Sequence, residues 1–189
     1  MIRLFVALEL PQDVRTRLAA LAGGVPGARW LLPEQMHITL RFIGAVDGAR
    51  FADIRISLAE ISAPPMVLAI AGVGLFGSLR QPRLLWAGIT PDAPVIALHD
   101  KIERRLIGCG LEPEGRKFRP HVTLARIKRT RAAKVTTFLQ QHDGLYIPGI
   151  EVTRFALYSS FLSASGAIYR IEQTYPLSDM SVELTGHGG

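Results

Sequence analysis

Residues 37–40 read His-Ile-Thr-Leu, and residues 121–124 read His-Val-Thr-Leu. In a β-strand, positions i and i+2 share a face. His37 and Thr39 therefore project together, with Ile38 and Leu40 on the opposite, apolar side. His121 and Thr123 repeat the arrangement over Val122 and Leu124. Each copy has a proline upstream, Pro33 and Pro120, and the copies lie 84 positions apart in a chain of 189. That is close to half the length, as expected of two related halves that each lend one strand to a shared cleft.

Outward from these strands, hydrophobic periodicity marks the remaining elements. Residues 2–8, 36–43, 66–71, 84–89 and 120–127 read as strands, and 150–161 with 167–173 as a closing pair. Residues 12–22, 49–61, 94–107 and 131–140 carry helical spacing; Gly23-Gly24 and Pro64-Pro65 end the first two. Helix-to-strand returns are mixed with hairpin-like turns, which implies an α+β sandwich rather than a doubly wound parallel sheet. No linker or low-complexity stretch interrupts the chain. Residues 1–177 are expected to form a single domain, followed by a frayed polar, glycine-rich tail over 178–189.

Composition narrows the function classes. The chain is 48% hydrophobic and 20% charged, which fits one globular unit rather than a fibre or a disordered chain. A single cysteine, Cys109, excludes an internal disulfide and a cysteine-rich metal site. The opening MIRLFVALELP is broken by Glu9 and Pro11 and does not read as a signal peptide. No uncharged apolar run is long enough to span a membrane. These features are expected of a cytoplasmic monomer with no membrane partner.

Charge is concentrated. The net charge of +6 comes from 22 basic and 16 acidic residues. Residues 115–134, GRKFRPHVTLARIKRTRAAK, hold eight of the basic residues and no acid, so the rest of the chain is slightly negative. Such a segment is either a solvated loop or a contact for phosphate groups, and His121 stands in its middle.

Two imidazoles suit in-line phosphoryl chemistry. Histidine titrates near neutrality, so one ring can accept a proton while the other donates one. Opening a cyclic phosphodiester needs both acts, on opposite sides of phosphorus. The threonine hydroxyls can donate to the non-bridging oxygens. Two histidines so far apart in sequence could also be zinc ligands, but no third partner has convincing spacing. His99, His142 and His187 read as structural or solvated, and Trp86 as a core residue. Arg80 and Arg83 read equally well as a solvated turn or as an extension of the basic surface.

The sequence resembles the two-histidine (2H) phosphoesterase superfamily, whose signature is a pair of His-x-Thr/Ser-x motifs, and within it the RNA 2′,3′-cyclic phosphodiesterases, or 2′-5′ RNA ligase family. The resemblance rests on four blocks in order: RLFVALELP (3–11), HITLRFIG (37–44), PRLLWAG (82–88) and FRPHVTLAR (118–126). It implies a bilobal fold of two pseudo-symmetric antiparallel sheets with outer helices around a central cleft. It implies metal-independent hydrolysis of RNA or nucleotide 2′,3′-cyclic phosphate ends to 2′-phosphates without a cofactor, with 2′-5′ ligation in some members. His37 would be the proton donor and His121 the proton acceptor. Thr39 and Thr123 would hold the phosphate, Arg126 would contact it and Phe42 would stack a base. Strict alternation turns Phe42 and Arg126, each five positions after its histidine, away from the cleft, so these roles require a bulge or a strand end. Arg41 has cleft-facing parity and is the substitute. The same chemistry on another cyclic phosphate, such as ADP-ribose 1″,2″-cyclic phosphate, and a non-catalytic nucleotide- or RNA-binding module are the alternatives.

Overall fold

The computed structural model describes residues 1–163 and 166–178. The expected tail falls outside them apart from Ser178, whose N–H donates to the Ala63 carbonyl at 2.9 Å; His187 also falls outside. In chain order the elements are β1 (Ile2–Leu8), α1 (Gln12–Ala19), β2 (Ala28–Trp30), β3 (Ile38–Val46), α2 (Gly48–Ala59), β4 (Met66–Gly77), β5 (Pro82–Thr90), α3 (Ala93–Gly108), β6 (His121–Ile127), α4 (Ala132–Gln141), β7 (Tyr146–Val152), β8 (Arg154–Ser163) and β9 (Gly166–Pro176). A 3-10 turn at Pro33–Gln35 leads into β3.

All strand pairs are antiparallel, and the order is β7-β4-β5-β6-β3-β1-β8-β9, with β2 on β6. The sheet is curled into an α+β half-barrel. Its halves, β7-β4-β5-β6 and β3-β1-β8-β9, are the two expected lobes. They are continuous with each other through one residue pair, Ile38 with Val122. The units β1-α1-β3-α2 and β5-α3-β6-α4 repeat the same strand-helix order, each with its histidine motif at the start of its second strand.

Alternation separates the two faces. On β1, Leu4, Val6 and Leu8 join the main core, while Phe5 and Ala7 form a second cluster with Ala156 and Tyr158. The helices close the first face with Val14 and Leu18 from α1, Ile54 and Leu58 from α2, five buried residues of α3 including Leu98 and Ile102, and Val135 and Phe138 from α4. Asp47 caps α2 by accepting from the Arg50 N–H at 2.8 Å. The opposite face stays open as the concave side.

Three expectations need correction. The single strand expected over 150–161 is two, because β7 ends at Val152 and β8 begins at Arg154. β7 also starts earlier and carries Pro148, which is tolerated because β7 is an edge strand. β4 runs well beyond residue 71, through three glycines that weaken any strand pattern. One of them, Gly74, is required: a Cβ there would stand 2.0 Å from the Trp86 ring lying across it. Trp86 is accordingly half-buried on the concave face rather than in the core. β2, only three residues long, gave no periodic signal. Among the described residues, no helix is long and apolar enough to cross a membrane.

Ile38 is fully buried at the junction of the two halves. Ile38→Ala is expected to destabilise the protein by about 2–5 kcal/mol and Ile38→Val by about 0.5–1.5 kcal/mol, read from urea unfolding midpoints.

Candidate active site

The Ile38–Val122 pair sets the geometry of the site. Continuing its antiparallel register by one residue each way places His37 across from Thr123, and Thr39 across from His121. The two imidazoles then occupy one diagonal of a quadrangle and the two hydroxyls the other. Diagonal neighbours in an antiparallel ladder lie roughly 7–8 Å apart, with room between their side chains for a tetrahedral group. All four residues line one cleft of about 730 Å³.

Each imidazole is tethered in the same way. His121 Nδ1 lies 2.7 Å from the Arg119 carbonyl, and His37 bonds the Gln35 carbonyl, again two residues upstream. A carbonyl oxygen only accepts, so Nδ1 of His121 must donate, which leaves Nε2 of the neutral ring as an acceptor. Rings fix the planes. His37 stacks on Phe5 at 4.9 Å between centroids and meets Tyr169 edge-on at 5.2 Å. His121 meets Phe76 edge-on at 4.9 Å, with Trp86 beyond.

Burial lowers both histidine pKa values. That of His37 is pushed down to about 4: burial dominates, the Gln35 carbonyl offsets part of it, and the positive charges of His121 and Arg126 push further down. Burial also lowers His121, against the supporting Arg119 carbonyl. Both rings are therefore neutral in the empty cleft at neutral pH.

A bulge follows each histidine motif. Against β1, β3 skips Leu40, passing from Thr39 opposite Ala7 to Arg41 opposite Val6. Against β5, β6 skips Leu124, passing from Thr123 opposite Trp86 to Ala125 opposite Leu85. Each extra residue reverses the alternation. Phe42, 60% exposed, and Arg126 consequently face the cleft. Arg41 lines the same cleft, as its parity led one to expect, but the shift carries its side chain to the edge. Its side chain is only 9% exposed at the cleft edge, and its guanidinium is held by the Glu103 carboxylate and the Phe42 and Glu112 carbonyls. Glu103 is itself tied down. Burial raises its pKa, but bonds from the Glu114 N–H and Arg41 outweigh this and hold it below the usual carboxylate range. Arg41 thus braces β3 against α3, with three of its guanidinium N–H groups bonded within the protein.

The basic segment is divided by the fold. Arg116, Lys117, Arg119 and Arg126 line the cleft; Lys128, Arg129, Arg131 and Lys134 do not. Arg83 lines it as well and Arg80 does not. His99 is buried, stacked on Phe118 at 4.0 Å with Nδ1 3.0 Å from Asp100 Oδ1, a packed structural residue at the margin of the cleft. Among the described residues, no group of three or more His, Cys, Asp or Glu side chains could hold a metal ion. Sequence reasoning missed the ring walls, Phe5 with Tyr169 and Phe76 with Trp86. Phe5 could have been found from its parity, since it is the large side chain on the face of β1 opposite Leu4 and Val6.

In histidine-resolved NMR titrations of the free protein, His37 should titrate near pH 4 and His121 below its ordinary value; both should rise when inorganic phosphate fills the cleft. The same shifts affect stability. Between the ordinary value of 6.5 and about 4, the unfolded chain binds protons that folded His37 refuses, so its contribution weakens the fold as pH falls through that window.

The LigT-like phosphoesterase family model matches residues 8–86 and 89–169. An RNA 2′,3′-cyclic phosphodiesterase of Aeropyrum pernix is 36% identical over 149 residues, covering 78% of this chain and 84% of the relative. One from Archaeoglobus fulgidus is 29% identical over 171 residues, covering 89% and 96%. Among solved structures, E. coli LigT complexed with 3′-AMP superposes with a TM-score of 0.75 at 23% identity, covering 94% of this chain and 99% of that one.

Proposed function

We propose, because this chain belongs to the LigT-like phosphoesterase family and holds two imidazoles on the diagonal of one cleft, that it hydrolyses 2′,3′-cyclic phosphate ends of RNA or nucleotides to 2′-phosphates. The observation that carries the reading is the mirrored tether of the two histidines, which keeps both rings aimed at the space between them. Residues 1–177 act as one unit in this reading, since each half supplies one imidazole and one hydroxyl.

His121 is the base. Its Nδ1–H is held by the Arg119 carbonyl, so Nε2 has a free lone pair to take a proton from water as the water oxygen attacks phosphorus. The P–O3′ bond breaks on the opposite side, and the departing 3′ oxygen takes a proton from His37. The product carries a 2′-phosphate and a 3′ hydroxyl, and proton exchange with solvent resets the two rings. Thr39 and Thr123, on the other diagonal, donate to the non-bridging oxygens, with Arg126 beside them to offset negative charge. Phe42, exposed at the rim, offers a face on which the terminal base can stack.

His37 has to be protonated to act, although burial, with smaller contributions from the charges of His121 and Arg126, holds its pKa at about 4 in the empty site. A bound phosphodiester brings a negative charge between His37, His121 and Arg126. It turns the local balance toward imidazolium at the moment the proton is needed.

Purified protein is expected to convert a 2′,3′-cyclic nucleotide to the 2′-nucleotide in excess chelator. His37→Ala and His121→Ala should each reduce kcat by about a hundredfold or more. A 3′-nucleotide product would reverse the assigned proton traffic. Tight binding without turnover by the wild type would replace the enzyme with a binding module.

A further inference from the structure

Beside the cleft lies a second hollow, of about 580 Å³, walled by β1, β2, β3 and the β8–β9 hairpin. It contains Arg3, Arg29 and Arg126, and among the described residues no Asp or Glu lines it. None of these guanidinium groups makes an ion pair or hydrogen bond with any described residue. Two of them, Arg29 and Arg126, are directly opposed across the β2–β6 ladder. Like charges in that position repel. An unrelieved pair, with a third arginine in a hollow where no described residue is acidic, is a site whose missing component is an anion.

The hollow is shaped as well as charged. Gln35 Nε2 donates to the Ala167 carbonyl at 3.0 Å and pins the hairpin against the turn before β3. At Gly166, whose φ of +128° favours glycine, the hairpin backbone lies close to Arg29: a Cβ there would come within 2.8 Å of Nη2. Arg126, Phe42 and Tyr169 line both the hollow and the cleft, which makes the two spaces continuous.

We infer that this hollow holds the backbone phosphate on the 5′ side of the terminal nucleotide, so that the protein distinguishes an RNA end from a mononucleotide. The inference rests on the proposed hydrolase reading. With the cyclic phosphate between the two imidazoles, the rest of the strand leaves the terminal ribose through its 5′ oxygen, and the next phosphate needs cations beyond the cleft. Arg126 stands at the junction, while Arg3 and Arg29 lie beyond it. A mononucleotide without a 5′ phosphate leaves them unused.

The test compares a 2′,3′-cyclic mononucleotide with an RNA hexamer ending in the same cyclic nucleotide. Arg29→Ala should leave mononucleotide turnover within roughly twofold, lower kcat/KM for the hexamer about tenfold through KM, and flatten the logarithmic salt slope of hexamer binding by about 0.7. Arg29→Lys should restore part of the loss. Equal loss on both substrates, or no loss on the hexamer, overturns the inference. So does a wild type that turns over the mononucleotide but shows no preference for the hexamer, and that outcome leaves the hydrolase reading standing. A wild type inert on both substrates sinks the hydrolase reading instead. Fluorescence anisotropy with the hexamer then decides the hollow: an affinity unchanged in Arg29→Ala overturns it, and an affinity that falls supports the strand contact alone. Mononucleotide turnover, or a thermal melt for an inert protein, verifies that the variant is folded.

Discussion

Two strands that touch through one residue pair have to place the four side chains of the candidate site. Ile38 and Val122 supply that pair from the core side, where both are fully buried. A slip of one residue in this register would send the imidazoles into the core and the aliphatic side chains into the cleft. The hydrophobic penalty for such a slip fixes the polar face. The site is therefore held from behind, by apolar packing against α3 and its neighbours, and its own polar groups need not hold it together. The Leu40 and Leu124 bulges follow immediately. Because they fall at the same place in both motifs, they turn Phe42 and Arg126 inward from both sides of the pseudo-twofold, while Arg41 is held at the cleft edge and Ala125 joins the core.

The electrostatics of the cleft depend on this framework. Rings pack against both histidines and exclude water from them, which lowers their affinity for protons. Cations line the remaining wall with few acids to balance them; among the described charged residues of the cleft only Glu114 is acidic. An empty cleft of this kind disfavours further positive charge and favours an anion. Ligand charge and imidazole protonation are thus coupled, and each raises the probability of the other. The Arg29–Arg126 pair extends the same bias along the concave face.

Much of this was legible in the sequence because it is written in short-range patterns. The paired tetrapeptides expose the face-sharing of His37 with Thr39 and His121 with Thr123. Strong alternation locates β1, β3 and β6, and helical spacing in residues 94–107 gives α3 nearly residue for residue. What was not legible comes from contacts between distant segments. A bulge is a mismatch between two strands, so nothing in RFIG or in LAR alone reveals that Phe42 and Arg126 turn inward; the partner residues on β1 and β5 decide it. Arg41 carried the right parity for an unbroken strand and ended against Glu103, 62 positions away. The glycines of β4 look like strand breakers until Trp86 is laid across Gly74.

The duplicated motif is surrounded by unlike neighbours, and this difference separates the two histidines. His37 stacks face to face on Phe5 and sits among Tyr158 and Tyr169, with Arg126 as its cationic neighbour. His121 follows Arg116, Lys117 and Arg119 along the cleft and meets its ring neighbour edge-on. Identical groups in identical surroundings would share one proton equally and have no preferred direction. In the proposed reaction, the ring that accepts from water gains most from being neutral at rest. The ring that donates gains most from a pKa that rises only with substrate present. His37 satisfies the second condition because one of the charges that depresses it belongs to Arg126, and a bound phosphate partly cancels that charge. The chemical asymmetry of an apparently symmetric site thus originates in its neighbours: burial depresses His37 most, and Arg126, which reaches the cleft only because Leu124 is left out of the ladder, adds a cationic contribution that His121 lacks.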